Sequence, residues 1–307
     1  MFKHRTQGFN GTALAFSPFF DSHVAVSSSA NFGLVGNGRL HILALQPGQM
    51  RPVKHFDTQD GLFDVCWSEN HENQLVTASG DGTVQLFDIT CDQFPVRKWR
   101  EHNKEVFSVS WNLVQKETFC SSSWDGSIKL WHPAQQVSLA TLMGHKACVY
   151  QALHSPQHPN MIASVSADTT LCLWDPTQGH TPVQSNPVST QEVLTLAWNK
   201  YNPYELFTAG IDLLINKWDY RMMARPIRTM RGHKYAIKKL SSSPFDGEMV
   251  ASSSYDMTTR IWRGDTCVKV FDAHTEFVAG LDWSCFGMSP GFIGTAGWDE
   301  NVFVWRV

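Results

Sequence analysis

The stretch "SSSWDGSIKLW", Ser121–Trp131, sets an Asp beside a Trp in a tight Ser/Gly setting, with a second Trp six residues after the Asp. A catalytic carboxylate would occur once, whereas a structural unit recurs at a fixed period. Here the residue six after each turn Asp forms a series, Phe87, Trp131, Trp174, Trp218, Trp262 and Trp305, spaced by 43 or 44 residues. The matching turn residues are Asp81, Asp125, Asp168, Asp212, Asp256 and Asp299. Asn37 precedes Leu43 by six and Leu43 precedes Phe87 by forty-four, so a divergent first copy brings the number of units to seven.

Each unit reads as short strands rich in β-branched and aromatic residues, such as "EVFSVSW", "TFCSSS" and "SIKLW", divided by turn formers. No stretch of helical periodicity interrupts them. A lone four-stranded sheet cannot bury both faces, so repeats of this kind stack into a ring. The expectation is an all-β, seven-bladed propeller formed by residues 1–307 as one domain. "NVFVWRV" reads as the third strand of the last blade, and "FKHRT" near the N-terminus supplies its missing outer strand and closes the ring.

His102, His145 and His233 each stand 23 residues before a turn Asp, and His274 stands 25 before Asp299. A hydroxyl lies four before each of the six turn Asp residues: Thr77, Ser121, Ser164, Thr208, Ser252 and Thr295. Asp, His, hydroxyl and Trp in one unit imitate a hydrolytic triad, but a catalytic site has no reason to be copied around a ring. Blades two and five carry Thr58 and Ser189 where His would stand, so incomplete networks are expected there.

Other chemistry finds no support. There is no HExxH, no paired CxxC and no EF-hand loop, so neither a metal nor a cofactor is expected. "GLVGNGRL", Gly33–Leu40, does not open a helix and reads as a turn, not a phosphate cradle. The chain is therefore read as a non-enzyme.

The seven cysteines are scattered and odd in number, which suits a reducing compartment. A net charge of −3 with both signs interspersed gives no field for nucleic acid or anionic membrane. The N-terminal "MFKHRTQGFNGT" lacks the apolar core of a signal peptide, no apolar run is long enough to span a bilayer, and a cytoplasmic location is expected.

On the face carrying the inter-blade loops and tight turns, two positions per blade project. The residues before the first strands include Asp60, Glu105, Glu192 and Glu276, with Tyr235 nearby, and those before the turn Asp include Trp124, Tyr255 and Trp298. Taken singly, these are equally well solvated loop charges and aromatic blade caps. Taken together, carboxylates among large aromatics suit a ligand with one cationic end and several apolar side chains.

The period and the signatures Trp174-Asp175, Trp218-Asp219, Gly144-His145 and Gly232-His233 resemble the WD-repeat family along the whole chain. That resemblance implies a hydrogen-bonded structural network of Asp125, His102, Ser121 and Trp131. A closer resemblance is carried by "FSPFF", "NFGLVGNGRLHIL", "DGLFDVCWSE", "NKYNPYELFTAG", "YAIKKL", "SYDMTTRIW" and "GWDENVFVW". These segments look like the peroxin-7 family, the receptors for the type 2 peroxisomal targeting signal, and most like its fungal members. The resemblance implies a ligand with a basic first residue, apolar second, fifth and ninth residues, and His or Gln eighth. As a helix, its first, fifth and eighth residues share a face. It also implies cargo such as thiolase, a co-receptor of the fungal type or long peroxin-5, a peroxisomal docking complex, and cycling between cytoplasm and peroxisome. Asp60 and Glu105, taken as equivalent places in neighbouring blades, match acidic positions of the family and are assigned to the basic residue, with Trp124 beside the apolar face. "WDYR", Trp218–Arg221, is similar to the WDxR pattern of propeller substrate receptors of cullin ubiquitin ligases, which supplies a second reading.

Overall fold

The computed structural model describes residues 1–30, 37–92, 94–287 and 291–307, and within them every regular element is a β-strand. The strands form seven antiparallel four-stranded sheets, the blades of a ring. Blade one comprises Asn10–Phe16, His23–Ala30, Asn37–Gln46 and Gln49–Thr58, and the next five blades follow in chain order. The first strands of successive blades contact one another around a central channel. Blade three shows how the repeat makes a sheet: Val106–Trp111, Phe119–Ser123 and Ser127–Trp131 are the three strands expected there, with Ala140–Met143 outermost.

Blade seven is assembled from both ends of the chain. Phe2–Arg5 pairs with Asn301–Arg306 in the register Phe2↔Val304, Lys3↔Phe303, His4↔Val302 and Arg5↔Asn301. Arg5 adds an ion pair to Glu300 at 3.0 Å, and the Thr6 N–H donates to the Glu300 carbonyl at 2.8 Å. The expected closure is thus the observed one.

The core lies between blades. Val76, Val84, Trp99, Val109, Trp111, Phe119 and Trp131, drawn from blades two and three, pack as one cluster. Phe87 takes the Trp place of blade two and packs 4.9 Å from Phe56 of blade one, so a ring of either type fills the seam. One expectation changes: Asn37 is not a turn residue but opens a strand, pairing with Ala30. Of the turn expected at Gly33–Leu40, Asn37–Leu40 belong to that strand instead, and residues 33–36 lie outside the described residues.

The tight turns share one backbone feature. The residue after the turn Asp has positive φ in six blades, at Gly82, Gly126, Thr169, Leu213, Met257 and Glu300. Glycine takes this left-handed conformation without a Cβ penalty, whereas Thr169 (φ 70°) and Leu213 (φ 66°) hold it under strain.

Candidate functional site

Beneath the loop-bearing face, the repeated side chains meet as buried relays. In blade three His102 Nδ1 lies 2.9 Å from Asp125 Oδ2, His102 Nε2 lies 2.8 Å from Ser121 Oγ, and the Trp131 indole N–H donates to that Oγ at 2.8 Å. Asp125 also accepts the Asn103 backbone N–H at 3.0 Å and the Ser127 hydroxyl at 2.6 Å. The inter-blade loop is thereby tied to the turn and to the blade core. Blades four and six repeat the set through His145, Asp168, Ser164 and Trp174, and through His233, Asp256, Ser252 and Trp262.

Burial opposes ionisation of Asp125, but hydrogen bonds from His102 and Ser127 outweigh it and hold the carboxyl well below the usual carboxylate range. Asp168, Asp256 and Asp299 are lowered in the same way. His145 is desolvated too, yet its bond to Asp168 raises it to about 9.

The remaining blades depart from the pattern. In blade seven His274 reaches Asp299 and Thr295, both at 3.0 Å, while the Trp305 indole N–H finds no acceptor among the described residues. In blade five Ser189 donates to Asp212 at 2.7 Å and Trp218 to Thr208 at 2.8 Å, two bonds with no imidazole between them. In blade two Thr58 bonds the Asp60 carbonyl, and Asp81 turns outward to Lys98 at 3.0 Å.

The channel mouth on this face widens into a cavity of about 500 Å³. Its shape follows from an irregularity in every first strand. The pairing register skips one residue between Gly11 and Ala13, Leu62 and Asp64, Val106 and Ser108, Val149 and Gln151, Val193 and Thr195, Ile237 and Lys239, and Val278 and Gly280. A bulged residue leaves the ladder and its side chain is re-aimed. All seven, Thr12, Phe63, Phe107, Tyr150, Leu194, Lys238 and Ala279, line the cavity.

On one side the rings form a wall. Phe63 stacks on Phe107 with centroids 4.6 Å apart, Phe107 stacks on Trp124 at 4.6 Å, and Tyr150 meets both Phe107 and Trp124 edge-on. Tyr255 and Trp298 flank Phe277 at 4.7 and 5.3 Å, and both line the cavity. The Tyr150 hydroxyl donates to Glu192 at 2.6 Å, whereas the Glu105 carboxylate has no partner among the described residues. Lys238 Nζ lies 5.1 Å from the Phe107 centroid, and burial together with neighbouring Lys239 lowers its pKa to about 8. Lys239 crosses the channel to Asp64 at 3.3 Å, and the other oxygen of that carboxylate accepts the Val109 N–H at 3.1 Å.

Of the residues singled out in the sequence, Glu105, Trp124, Glu192, Tyr255 and Trp298 are brought together in the wall. Asp60 does not line the cavity, and its carboxylate caps the Gly61 N–H at 2.7 Å. Tyr235 and Glu276 are exposed and do not line the cavity.

The supposed equivalence of Asp60 and Glu105 is corrected by the backbone. The carbonyl accepting the N–H of the residue before each turn Asp belongs to Gly61, Glu105, Cys148, Glu192, Ala236 and Phe277. Glu105 and Glu192 therefore correspond, while Asp60, Tyr235 and Glu276 stand one residue earlier, where the side chain leaves in another direction. Counting from the network His position separates the two sets, at two and three residues after it. Phe63, Phe107, Tyr150, Leu194 and Lys238 were not anticipated, because strand alternation carries no mark of a bulge. Arg221 of "WDYR" forks onto Asp219 at 2.9 and 2.6 Å and lies 3.9 Å over the Tyr204 ring, so its guanidinium is engaged within its own neighbourhood.

A closed ring with buried Asp-His-Ser-Trp relays defines the class, and the "WD domain, G-beta repeat" family matches at residues 50–88, 93–132, 136–175, 224–263 and 265–306. The fold is similar to the WD40 β-propeller domain of Doa1, with a TM-score of 0.82 at 21% identity, covering 98% of this chain and 94% of that one. Within the class, the chain is 39% identical to the peroxisomal targeting signal 2 receptor of Saccharomyces cerevisiae, covering 100% of this chain and 99% of the relative. It is 38% identical to the receptor of the same name in Mus musculus (98% and 95% covered) and 40% identical to peroxisome biogenesis protein 7 of Arabidopsis thaliana (97% and 95%). The chain belongs to the family of peroxisomal targeting signal 2 receptors.

Proposed function

We propose that the protein is a receptor that binds the type 2 targeting signal of cargo proteins, as an amphipathic helix laid into the funnel, and brings the cargo to the peroxisome. The observation that carries this reading is the funnel itself: a stacked aromatic wall beside an unpaired carboxylate, Glu105. A helix with a basic first residue and apolar neighbours on the same face is complementary to it. Glu105 takes the basic residue, with Asp60 adding negative charge from outside the cavity, and Trp124 packs against the apolar side chains. A funnel open to solvent leaves the outer face of such a helix uncovered, which is the place for a co-receptor, of the fungal type or long peroxin-5. Thiolase is a cargo that fits, a docking complex at the peroxisome completes the route, and the receptor cycles between that membrane and the cytoplasm. Membership of a family named for a receptor supports binding, not catalysis, as its work.

The test is fluorescence anisotropy of a labelled signal peptide, with and without the co-receptor. Asp60→Arg combined with Glu105→Arg should abolish binding while leaving the melting curve near wild type. Loss of a desolvated charge partner costs about 2–5 kcal/mol, a rim pair under about 1. A peptide with Glu in place of its basic residue should bind the double variant and not the wild type. Undiminished binding of the natural peptide by the double variant would move the site, with Glu192 and Glu276 next in line.

A further inference from the structure

The channel does not end at the floor of the funnel. Below the Lys239–Asp64 bridge it opens again, toward the opposite face, into a second cavity of about 280 Å³ lined by the far halves of the first strands. Trp67, Trp111, Trp198 and Trp283 are in its wall. Each indole N–H already donates to a backbone carbonyl, of Lys116 for Trp111 and of Ala15, Leu153 and Ser241 for the others, so the rings offer only apolar surface. Three carboxylates, Asp64, Glu69 and Asp282, share the lining with two ammoniums, Lys200 and Lys239. Asp64 is matched by Lys239. Asp282 accepts the Phe16 N–H at 2.9 Å but meets no cationic group within ion-pair distance among the described residues, and Glu69 is reached only by the exposed Lys116, at 3.8 Å. Burial raises both carboxyls, and Lys200, which acts on both through space, bonds to neither. His154 in the same wall adds no positive charge, because burial lowers its pKa to about 4.

We propose that this lower mouth is a docking site for a partner protein, which inserts one arginine side chain from a segment of otherwise apolar residues. The cavity is smaller than the about 300–1,000 Å³ of pockets that take small molecules, and too small for a helix of about 10 Å diameter, so it accepts a single side chain. Arginine matches it along its length: the apolar stem lies against the indole rings, and the planar, always charged guanidinium bridges Asp282 and Glu69. The compact ammonium of lysine reaches only one of them. A cation offsets the carboxylate excess that Lys200 leaves, whereas an anion would bring its own charge against two buried carboxylates. Phe19, Val114 and Tyr201, which follow the mouth-lining Pro18, Leu113 and Lys200 in the chain, are exposed and offer apolar contact to the residues flanking the arginine. Because the Lys239–Asp64 bridge separates the two cavities, this partner and a ligand in the funnel are held at the same time, on opposite faces.

The test uses a reporter already in the mouth. Cys285 lines the cavity and is exposed, while Cys91 is exposed elsewhere and serves as internal control. Alkylation of both by iodoacetamide is followed by mass spectrometry on the full chain, with the acetylated peptide amide Gly-Leu-Arg-Phe-Gly as probe. At about 5 mM the peptide should slow Cys285 about fivefold and leave Cys91 unchanged, the protection that mass action gives for a Kd of about 1 mM. The citrulline analogue, equal in shape but uncharged, should not protect. Asp282→Asn combined with Glu69→Gln should abolish protection by the arginine peptide and leave binding of a type 2 signal peptide unchanged, since Asn keeps an acceptor for the Phe16 N–H. Equal protection by the arginine and citrulline peptides, undiminished protection in the double variant, or no protection of the wild type overturns the inference. Arginine amide protecting as well as the peptide overturns it too, because that describes a small-cation site and not a docking surface. So does loss of signal binding by the double variant, which marks the two carboxylates as structural. Should the double variant fail to fold, the arginine and citrulline peptides on the wild type decide the matter alone.

Discussion

Blades three and five occupy comparable places in the ring, offer a glutamate to the same cavity, and are fastened differently. In blade three a single imidazole spans from Asp125 to Ser121 and on to Trp131, so the turn, the inter-blade loop and the blade core move as one. In blade five the shorter Ser189 reaches Asp212 but cannot reach Thr208, and the Thr208–Trp218 bond stands apart. Both blades nonetheless have the same four-stranded sheet and the same bulge. The relay is therefore not what makes a blade: apolar packing and the ladder do that, and the relay adds local rigidity where it is complete.

The harshest challenge to this view is at blade seven, which has its His274–Asp299 pair but depends on the first residues of the chain for its outer strand. If relays held blades together by themselves, removing Met1–Thr6 would be tolerated. Stripping that strand exposes the edge of Asn301–Arg306, and the expected product aggregates and shows no cooperative melt. A soluble monomer melting in one step would reverse the ranking of packing and relay. Next in size, Asp125→Ala should cost about 1–3 kcal/mol, because His102 and the Asn103 N–H lose their acceptor, and signal binding should fall only as folding does. Asp212→Ala, which strands Ser189 and the Leu214 N–H but no imidazole, should cost less, about 1 kcal/mol or below. Equal losses in the two blades, measured by denaturant titration, would erase the distinction.

The pH dependence follows from the same bonds. The lowered carboxyls of Asp125, Asp168, Asp256 and Asp299 contribute stability that is complete above the unfolded carboxylate range, near ~4, and is lost as pH falls through their lower folded values. His145, raised to about 9, contributes fully below its unfolded value of ~6.5, and that share is lost as pH rises through about 9. Melting temperatures of wild type and His145→Gln across pH 5–10 should converge on the alkaline side; parallel curves would deny the relay its charge. The smallest expected effect is a gain: Leu213→Gly relieves the left-handed turn of blade five, a benefit that the added freedom of the unfolded chain cuts to about 0.3 kcal/mol, whereas blade three already has Gly126 there.

Repetition made most of this fold legible in the sequence. Seven units, strand after strand, and the relay of Asp125 with His102, Ser121 and Trp131 all show as fixed spacings, since hydrogen-bond geometry ties each residue to a place in the period. What escaped is what the period does not constrain. Phe107 and Lys238 each occupy a bulge, a backbone irregularity with no residue signature of its own, and alternation assigns them to the blade interior. Asp60 and Glu105 looked alike because both precede a strand, but a one-residue offset in a loop turns a side chain away, and only the backbone bonds reveal it.

The seven bulges carry a consequence for engineering. Each lifts one side chain out of the ladder, so its identity is uncoupled from the strand pairing that holds the ring. Thr12 is the exception, since its hydroxyl donates to the Leu62 carbonyl of the next blade at 2.6 Å; a combinatorial library confined to Phe63, Phe107, Tyr150, Leu194, Lys238 and Ala279 would thus vary the recognition surface while sparing the scaffold, and retargeted address readers could be selected from it.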